Sequence, residues 1–152
     1  MGAIASDGVE VLNGDVVTAC RIPPRVIREV AEREASELRR RLLQYRGDRP
    51  LPVISGRTVI LVDDGLATGA TMRAAVMAVR QEQPAAVIVA VPVGAASTCA
   101  ELRSEVDEIV CLYSPPDFSA VGLWYDDFSP TSDEEVRRLL AAHPAPQPAV
   151  RS

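Results

Sequence analysis

The spacing of apolar side chains changes from helical periodicity before about residue 57 to continuous runs after it. Pro23-Pro24 open the periodic stretch, and proline is well tolerated in the first turn of a helix. Apolar residues then recur at steps of three or four, at Ile27, Ala31, Ala35, Leu38 and Leu42. On the other face, opposite charges stand four residues apart, at Arg28–Glu32, Glu29–Arg33 and Glu37–Arg41. This pattern predicts one long helix with an apolar stripe, which ends near Gly47.

Three continuous apolar runs follow, at 58–62, 86–93 and 108–112, and stretches with helical periodicity at 70–80 and 98–104 separate them. Apolar runs without alternation are typical of strands that are buried on both faces, as in a parallel sheet covered by helices. The sequence therefore predicts an α/β fold with a mostly parallel sheet flanked by helices.

Short-range signals predict a β-hairpin near the start of the chain. Residues 9–12 and 15–18 are apolar runs on either side of Asn13-Gly14, a dipeptide that strongly favours a two-residue hairpin turn. Before them, Gly2-Ala3-Ile4-Ala5 has the character of the middle of a strand rather than the start of a domain. We therefore expect an N-terminal β-hairpin ahead of the long helix.

The last helix and the C-terminus also carry clear signals. Ser132 and Glu135 have the spacing of a capping box, which predicts a helix that ends near Ala142. Residues 143–152 are rich in proline and poor in apolar groups, so we expect a disordered tail. The chain has 152 residues, and residues 1–142 are predicted to form a single domain.

The amino-acid composition argues against several kinds of functional site. All 16 cationic side chains are arginine, which excludes a lysine Schiff base and a P-loop lysine. The only histidine, His143, lies beside the proline-rich tail, which argues against a histidine-based triad or metal site. The net charge of −5 argues against a nucleic-acid partner, because such binding needs cations that neutralise phosphates. Carboxylate, metal or backbone-amide chemistry remains.

The same sequence predicts a cytoplasmic protein without a membrane partner. Cys20, Cys99 and Cys111 are odd in number and show no CxxC spacing, which favours buried thiols in a reducing compartment. No apolar run reaches the roughly 18 residues that a membrane-spanning helix needs. The N-terminus also lacks the basic region of a signal peptide.

Residues 59–71, Val-Ile-Leu-Val-Asp-Asp-Gly-Leu-Ala-Thr-Gly-Ala-Thr, combine the features of a ligand site. Asp63 and Asp64 directly follow a predicted strand, and ligands of open α/β sheets bind at the carboxyl ends of strands. Residues 67–71 place backbone N–H groups at a helix N-terminus, which attracts phosphate. Gly65 and Gly69 permit unusual φ angles and a close approach of the backbone.

The two halves of this segment favour different parts of one ligand. Carboxylates accept hydrogen bonds from hydroxyl groups and repel phosphate, whereas the amides attract phosphate. A ribose 5-phosphate offers a diol and a phosphate a few ångströms apart. The alternative is structural, with Asp63 and Asp64 ending the strand and capping the following helix.

Residues 59–71 resemble the 5-phosphoribosyl 1-pyrophosphate (PRPP) motif of type I phosphoribosyltransferases, and the order of helices and strands agrees to about residue 130. The resemblance implies the type I phosphoribosyltransferase fold. It also implies a transferase reaction of nucleotide metabolism, in which a nitrogenous base replaces pyrophosphate at ribose C1. It implies that Asp63 and Asp64 are catalytic residues that bind the ribose 2- and 3-hydroxyls. It also implies that Mg²⁺ accompanies PRPP without a dedicated protein cage. The 5-phosphate would lie on Ala67, Thr68, Gly69, Ala70 and Thr71.

A second segment, from Phe118 to Asp126, is similar to the one that brackets the purine in hypoxanthine-type phosphoribosyltransferases. An aromatic residue precedes Val121-Gly122, and Asp126 follows that glycine by four. The resemblance implies an acceptor site formed by Phe118, Trp124, Tyr125 and Asp126. The alternative is that these aromatic side chains anchor the last helix on the sheet.

One part of the family pattern is missing from residues 1–57. They show no strand followed by an Arg/Lys-Gly loop and a helix, the unit that holds pyrophosphate in the family. We therefore expect the chain to lack the first roughly 60 residues of a complete enzyme, judged against typical domain size. Arg46 or Arg49, in the loop 46–52, would reach pyrophosphate if that loop closes over the site. Otherwise the loop is a solvated linker.

The missing unit leaves two alternatives to a phosphoribosyltransferase that acts on PRPP and a small-molecule base. One is a non-catalytic regulator that binds PRPP or a nucleotide. The other is a partner domain that keeps the fold and forms a homodimer through its long charged helix.

Overall fold

The computed structural model describes residues 2–4, 10–12, 14–47 and 52–142. Its strands are β1 (Gly2–Ile4), β2 (Glu10–Leu12), β3 (Thr58–Val62), β4 (Ala86–Val93) and β5 (Glu108–Tyr113). Its helices are α1 (Gly14–Ala19), α2 (Pro24–Arg46), α3 (Ala70–Gln81), α4 (Ala96–Leu102) and α5 (Asp133–Ala142), with a 3-10 turn at Val121–Trp124. Tail residues 143–152 and most of the loop 46–52 lie outside the described residues.

Strands β3, β4 and β5 form a parallel sheet with β4 in the middle. Ile60 lies opposite Ile88, and Val62 lies opposite Ala90, which in turn lies opposite Val110. Helices α3 and α4 make the connections between successive strands, as a parallel sheet requires. The predicted α/β fold with a parallel sheet is confirmed.

One face of this sheet carries the hydrophobic core. Val87 and Val89 of β4 and Leu102 of α4 are 0% exposed, and Val76 of α3 is 2% exposed. Helices α3 and α4 cover this face, and their apolar side chains form one cluster with those of the strands. The covered face therefore supplies the rigid base from which the loops at the carboxyl ends of the strands extend.

The opposite face of the sheet is open among the described residues. Ile60 is 60% exposed, Val62 74%, Val110 38% and Leu112 79%. The prediction that the strands are buried on both faces is therefore wrong for the described part of the chain. An apolar run shows that both faces of a strand carry apolar side chains, but it does not show whether another element covers each face. The predicted long helix, α2, contacts β1 and α5 instead.

The N-terminal hairpin is present, but its strands differ from the predicted ones. β2 pairs in antiparallel orientation with β1, so that Gly2 lies opposite Leu12 and Ile4 lies opposite Glu10. The predicted second strand, residues 15–18, is helical and belongs to α1. A Cβ atom on Gly2 would overlap the Val11 carbonyl oxygen, so this glycine permits the close approach of β1. The chain upstream of β2 supplies the partner, which the local turn signal did not indicate.

Helix α5 is fixed to α2 by polar contacts. Asp133 accepts hydrogen bonds from the Tyr45 hydroxyl and, at 3.1 Å, from Arg40. The predicted cap at Ser132 is confirmed in one of its two bonds, because the backbone N–H of Glu135 donates to the Ser132 hydroxyl at 3.2 Å, whereas the Glu135 carboxylate pairs with Arg138. Within α2, the predicted pair of Glu37 and Arg41 forms at 2.8 Å.

None of the helices in the described ranges has the length and apolar character needed to cross a lipid bilayer.

Candidate functional site

Asp63 and Asp64 directly follow β3, where the chain bends, and are called the acidic turn below. The backbone N–H of Asp64 donates to the Asp63 carboxylate at 2.9 Å, so the first carboxylate is folded back on the turn. Asp63 is half-buried and Asp64 is exposed. Because Asp63 already accepts one hydrogen bond, its orientation is fixed before any ligand arrives.

The electrostatic surroundings of Asp64 are unfavourable for its negative charge. Partial burial raises its pKa, and the neighbouring Asp63 carboxylate raises it further. The backbone N–H groups of Gly65 and of Asp64 itself lower this pKa and offset part of the effect. Such a pair of carboxylates is stabilised by a partner that donates hydrogen bonds or brings positive charge.

After the acidic turn, the backbone is fixed to the end of β4. The Leu66 N–H donates to the Val93 carbonyl at 2.9 Å, and the Ala95 N–H donates to the Leu66 carbonyl at 2.9 Å. The Leu66 side chain is 1% exposed and belongs to the core cluster. Two backbone hydrogen bonds and one buried side chain therefore hold the start of the loop.

The next residues of the loop are held by Thr98 of α4. Its hydroxyl donates to the Ala67 carbonyl at 2.6 Å, and its methyl group lies against Gly69. A Cβ atom on Gly69 would come within 2.7 Å of that methyl carbon, and Gly69 has a φ of 71° in the left-handed region. Both conditions require glycine at this position.

Helix α3 begins directly after Gly69, which has no side chain to cap it. Its first turn contains no acidic residue, and the Ala70 N–H donates only a long hydrogen bond of 3.5 Å to the Thr68 hydroxyl. The first N–H groups of a helix have no partner within the helix and carry partial positive charge. The end of α3, at Ala70 and Thr71, therefore has the chemistry of an anion site.

A cavity of about 620 Å³ adjoins this loop. Ala67, Thr68 and Ala70 line one side of it, and Thr98 and Ser97 of α4 line another. The remaining wall includes Leu12, Gly14 and Phe118. The N-terminal hairpin and the segment after β5 thus both reach the loop predicted to bind phosphate.

The segment 118–126, predicted to face the acceptor, contacts the acidic turn directly. The Tyr125 hydroxyl donates to the Asp64 main-chain carbonyl at 2.7 Å. A Cβ atom on Gly65 would lie 2.7 Å from a methyl carbon of Val121, so this glycine allows the two backbones to approach. The two regions that sequence similarity singled out separately are therefore neighbours in the fold.

The four predicted acceptor residues differ in their surroundings. Phe118 is half-buried at the cavity, whereas Asp126 is exposed. The ring of Tyr125 packs on Phe128 with centroids 5.2 Å apart. Trp124 packs edge to face on Tyr113, at the end of β5, with centroids 5.3 Å apart. Trp124 thus packs segment 118–126 against the sheet, whereas the polar contacts of α5 described above are made with α2.

Sequence reasoning missed the residues that hold the loop in place. Thr98 is 31 residues beyond Ala67 in the chain, so local pattern gives no sign of their contact. The close approach implied by Gly65 and Gly69 was a usable signal, but it did not identify Val121 and Thr98 as the neighbours. Among the residues that the structure describes, no cluster of three His, Cys, Asp or Glu side chains could hold a metal ion.

Comparison with known proteins identifies the family of this chain. Residues 4–124 match the model of the phosphoribosyl transferase domain family. Two Mycobacterium tuberculosis proteins, from strains CDC 1551 and H37Rv, are 42% identical over 139 residues, which is 91% of this chain and 31% of theirs. The name of the second is "Putative phosphoribosyl transferase Rv0571c". This chain thus spans about a third of the length of these curated relatives.

A solved structure has the same fold. The crystal structure of TT1426 from Thermus thermophilus matches with a TM-score of 0.71 and 40% sequence identity. The match covers 93% of this chain and 66% of that one. The chain is therefore a member of the phosphoribosyl transferase domain family.

Proposed function

We propose that this chain binds PRPP and, within a full-length phosphoribosyltransferase, transfers the phosphoribosyl group to a nitrogenous base with release of pyrophosphate. The observation that supports this most is the junction of an acidic turn with the uncapped start of α3. The loop between them is fixed at Leu66, Ala67 and Gly69. One ligand must satisfy both ends, and a ribose 5-phosphate does so.

In this proposal Asp63 and Asp64 accept hydrogen bonds from the ribose hydroxyls. Partial burial, and then the neighbouring Asp63 carboxylate, raise the pKa of Asp64, and two hydroxyl donors would relieve these unfavourable surroundings. The phosphate lies on the backbone of residues 67–71, of which Ala67, Thr68 and Ala70 line the cavity beside α3.

The proposed reaction depends mainly on fixed charges. Breaking the bond at ribose C1 builds positive charge on the sugar ring, and carboxylates held beside the diol favour that charge. Because Leu66 and Thr98 hold the loop, the phosphate and the carboxylates keep a fixed spacing, which places the sugar without further rearrangement.

Magnesium fits the residues present only as a companion of the substrate. Mg²⁺ prefers oxygen ligands and retains water, and the acidic turn offers carboxylate oxygens without a protein cage. When bound with PRPP, the ion would neutralise charge on the departing pyrophosphate. Oxygen atoms of the substrate and water would hold it beside Asp63 and Asp64.

A second candidate function is a regulator that binds PRPP or a nucleotide without turnover. It is favoured by one observation: in the described part of residues 2–47 the chain forms a hairpin and two helices, α1 and α2, in place of a loop that would hold pyrophosphate. Pyrophosphate release measured with PRPP, Mg²⁺ and a panel of bases distinguishes the two, because only the transferase releases it.

The binding proposal is tested by calorimetric titration with PRPP and Mg²⁺. The double variant Asp63→Asn, Asp64→Asn should bind at least about tenfold more weakly, because hydrogen bonds to charged groups contribute roughly 1.5–3 kcal/mol each. Circular dichroism should remain that of the parent, since asparagine keeps the oxygen that accepts from the Asp64 N–H. Asp117→Asn, at an exposed position, is the control. Equal affinity of the double variant and the parent would show that the turn is not the ribose site.

A further inference from the structure

One hydrogen bond joins Tyr125 to the main chain of the acidic pair. The hydroxyl donates to the Asp64 carbonyl oxygen at 2.7 Å. This carbonyl and the Asp64 carboxylate belong to the same residue, so fixing the carbonyl also fixes the backbone from which the side chain extends. The peptide that follows Asp64 is trans and planar, so the bond to its oxygen orients the whole peptide unit.

We propose that Tyr125 is a positioning residue for the ribose-binding turn, acting through the Asp64–Gly65 peptide to orient the Asp64 carboxylate. The inference rests on the proposed function, because it concerns the same site. A hydrogen bond to a carbonyl also polarises the N–H of that peptide, which here belongs to Gly65. Removing the hydroxyl therefore affects the carboxylate without any direct contact between the two side chains.

The surroundings of this peptide support a fixed orientation. The methyl groups of Val121 and the Val93 carbonyl oxygen occupy the space into which a Cβ atom of Gly65 would project. The ring of Tyr125 is held against Phe128, so the hydroxyl is delivered from a packed side chain. These contacts limit rotation of the peptide, and the Tyr125 hydroxyl selects its angle.

This role differs from stacking on the acceptor base. Tyr125 uses its hydroxyl on the backbone of the acidic turn and its ring on Phe128. Segment 118–126 is thereby coupled to the sugar site as well as to the predicted acceptor site. A displacement of this segment would therefore change the position of the Asp64 carboxylate.

The test compares Tyr125→Phe with Tyr113→Phe. The first removes only the hydroxyl and retains the ring on Phe128. The second removes a hydroxyl from a ring that packs on Trp124. We expect Tyr125→Phe to weaken binding of PRPP with Mg²⁺ about two- to tenfold, the range given by one hydrogen bond, and Tyr113→Phe to bind as the parent does.

A double-mutant cycle with Asp64→Asn separates positioning from general destabilisation. If Tyr125 acts through Asp64, Tyr125→Phe should cause little further loss of PRPP affinity in the Asp64→Asn background. If Tyr125→Phe only destabilises the structure in general, it should cause the same loss of PRPP affinity in the Asp64→Asn background as in the parent. In the ligand-free protein, the Gly65 amide proton resonance should also shift in Tyr125→Phe and not in Tyr113→Phe.

The outcomes distinguish this inference from the function on which it rests. A parent protein that does not bind PRPP overturns the proposed function and the positioning role with it. A parent that binds, together with a Tyr125→Phe variant of parental affinity or with fully additive effects in the cycle, overturns the positioning role alone. An unchanged Gly65 resonance in Tyr125→Phe counts against the connection through the peptide, whatever the affinity.

Discussion

The two faces of the sheet differ in burial although the same strands form them. Along β4, Val87, Val89 and Val91 are at most 3% exposed under α3 and α4. On the other face, Val62 and Leu112 of the flanking strands are 74% and 79% exposed. The candidate site depends on the covered face, because the loop contacts come from the end of β4 and from α4. The framework of the candidate site therefore coexists with a sheet that is covered on one face only.

The largest expected effect comes from matched leucine truncations on the two sides of this comparison. Leu102→Ala removes a side chain that is 0% exposed in the core, and such truncations cost roughly 2–5 kcal/mol of unfolding free energy. Leu112→Ala removes one that is 79% exposed, so its cost should stay below about 0.5 kcal/mol. Urea denaturation measures both. Similar losses for the two variants would mean that the open face is buried in solution.

A smaller effect is expected at the ion pair that ties α3 to the sheet. The Val87 N–H at 2.7 Å, and then Arg80 at 2.9 Å, hold the pKa of Asp107 below its ordinary value of 3.8. A depressed folded-state pKa stabilises the fold above the unfolded value, and this contribution is lost as the pH falls through the folded one.

Asp107→Asn should therefore lower the unfolding free energy at pH 7, and its difference from the parent should shrink as the pH falls below about 4. Urea denaturation of both proteins across that range measures this difference. Asp117→Asn, which removes an exposed carboxylate outside the helices, serves as control. Parent and variant curves that stay parallel through the acid range would contradict the role given to Asp107.

The smallest effect on stability is expected on the open face itself. The double variant Val62→Thr, Leu112→Thr keeps residues suited to strands and should change the unfolding free energy by no more than about 0.5 kcal/mol. It should reduce self-association, because contiguous exposed apolar side chains favour association. Analytical ultracentrifugation of the parent and the double variant over a concentration series measures this. An unchanged sedimentation profile of an associating parent would assign its contacts to another surface.

The order of elements was predictable because its signals are local. The apolar runs, the capping box at Ser132 and the position of Asp63-Asp64 after a strand each depend on a few neighbouring residues. The partner of β2 was not predictable from the Asn13-Gly14 signal, since residues 2–4 pair with it while 15–18 become helical. A turn propensity indicates where a chain can reverse, but it does not exclude a more distant partner.

The candidate site was predictable to the same extent. Its composition follows from one short segment, residues 59–71. Its supports come from elsewhere in the chain, namely Thr98 in α4 and Val121 and Tyr125 after β5. Such contacts arise from the packing of distant elements, and no periodicity in the sequence encodes them.

The three attachments of the loop, at Leu66, Ala67 and Gly69, have a thermodynamic consequence. A segment already held in its binding shape loses little conformational entropy when a ligand arrives. Association with an anion there should accordingly be driven by heat released in new hydrogen bonds. Most of the loop is therefore ordered before a ligand binds, so that binding should require little further ordering.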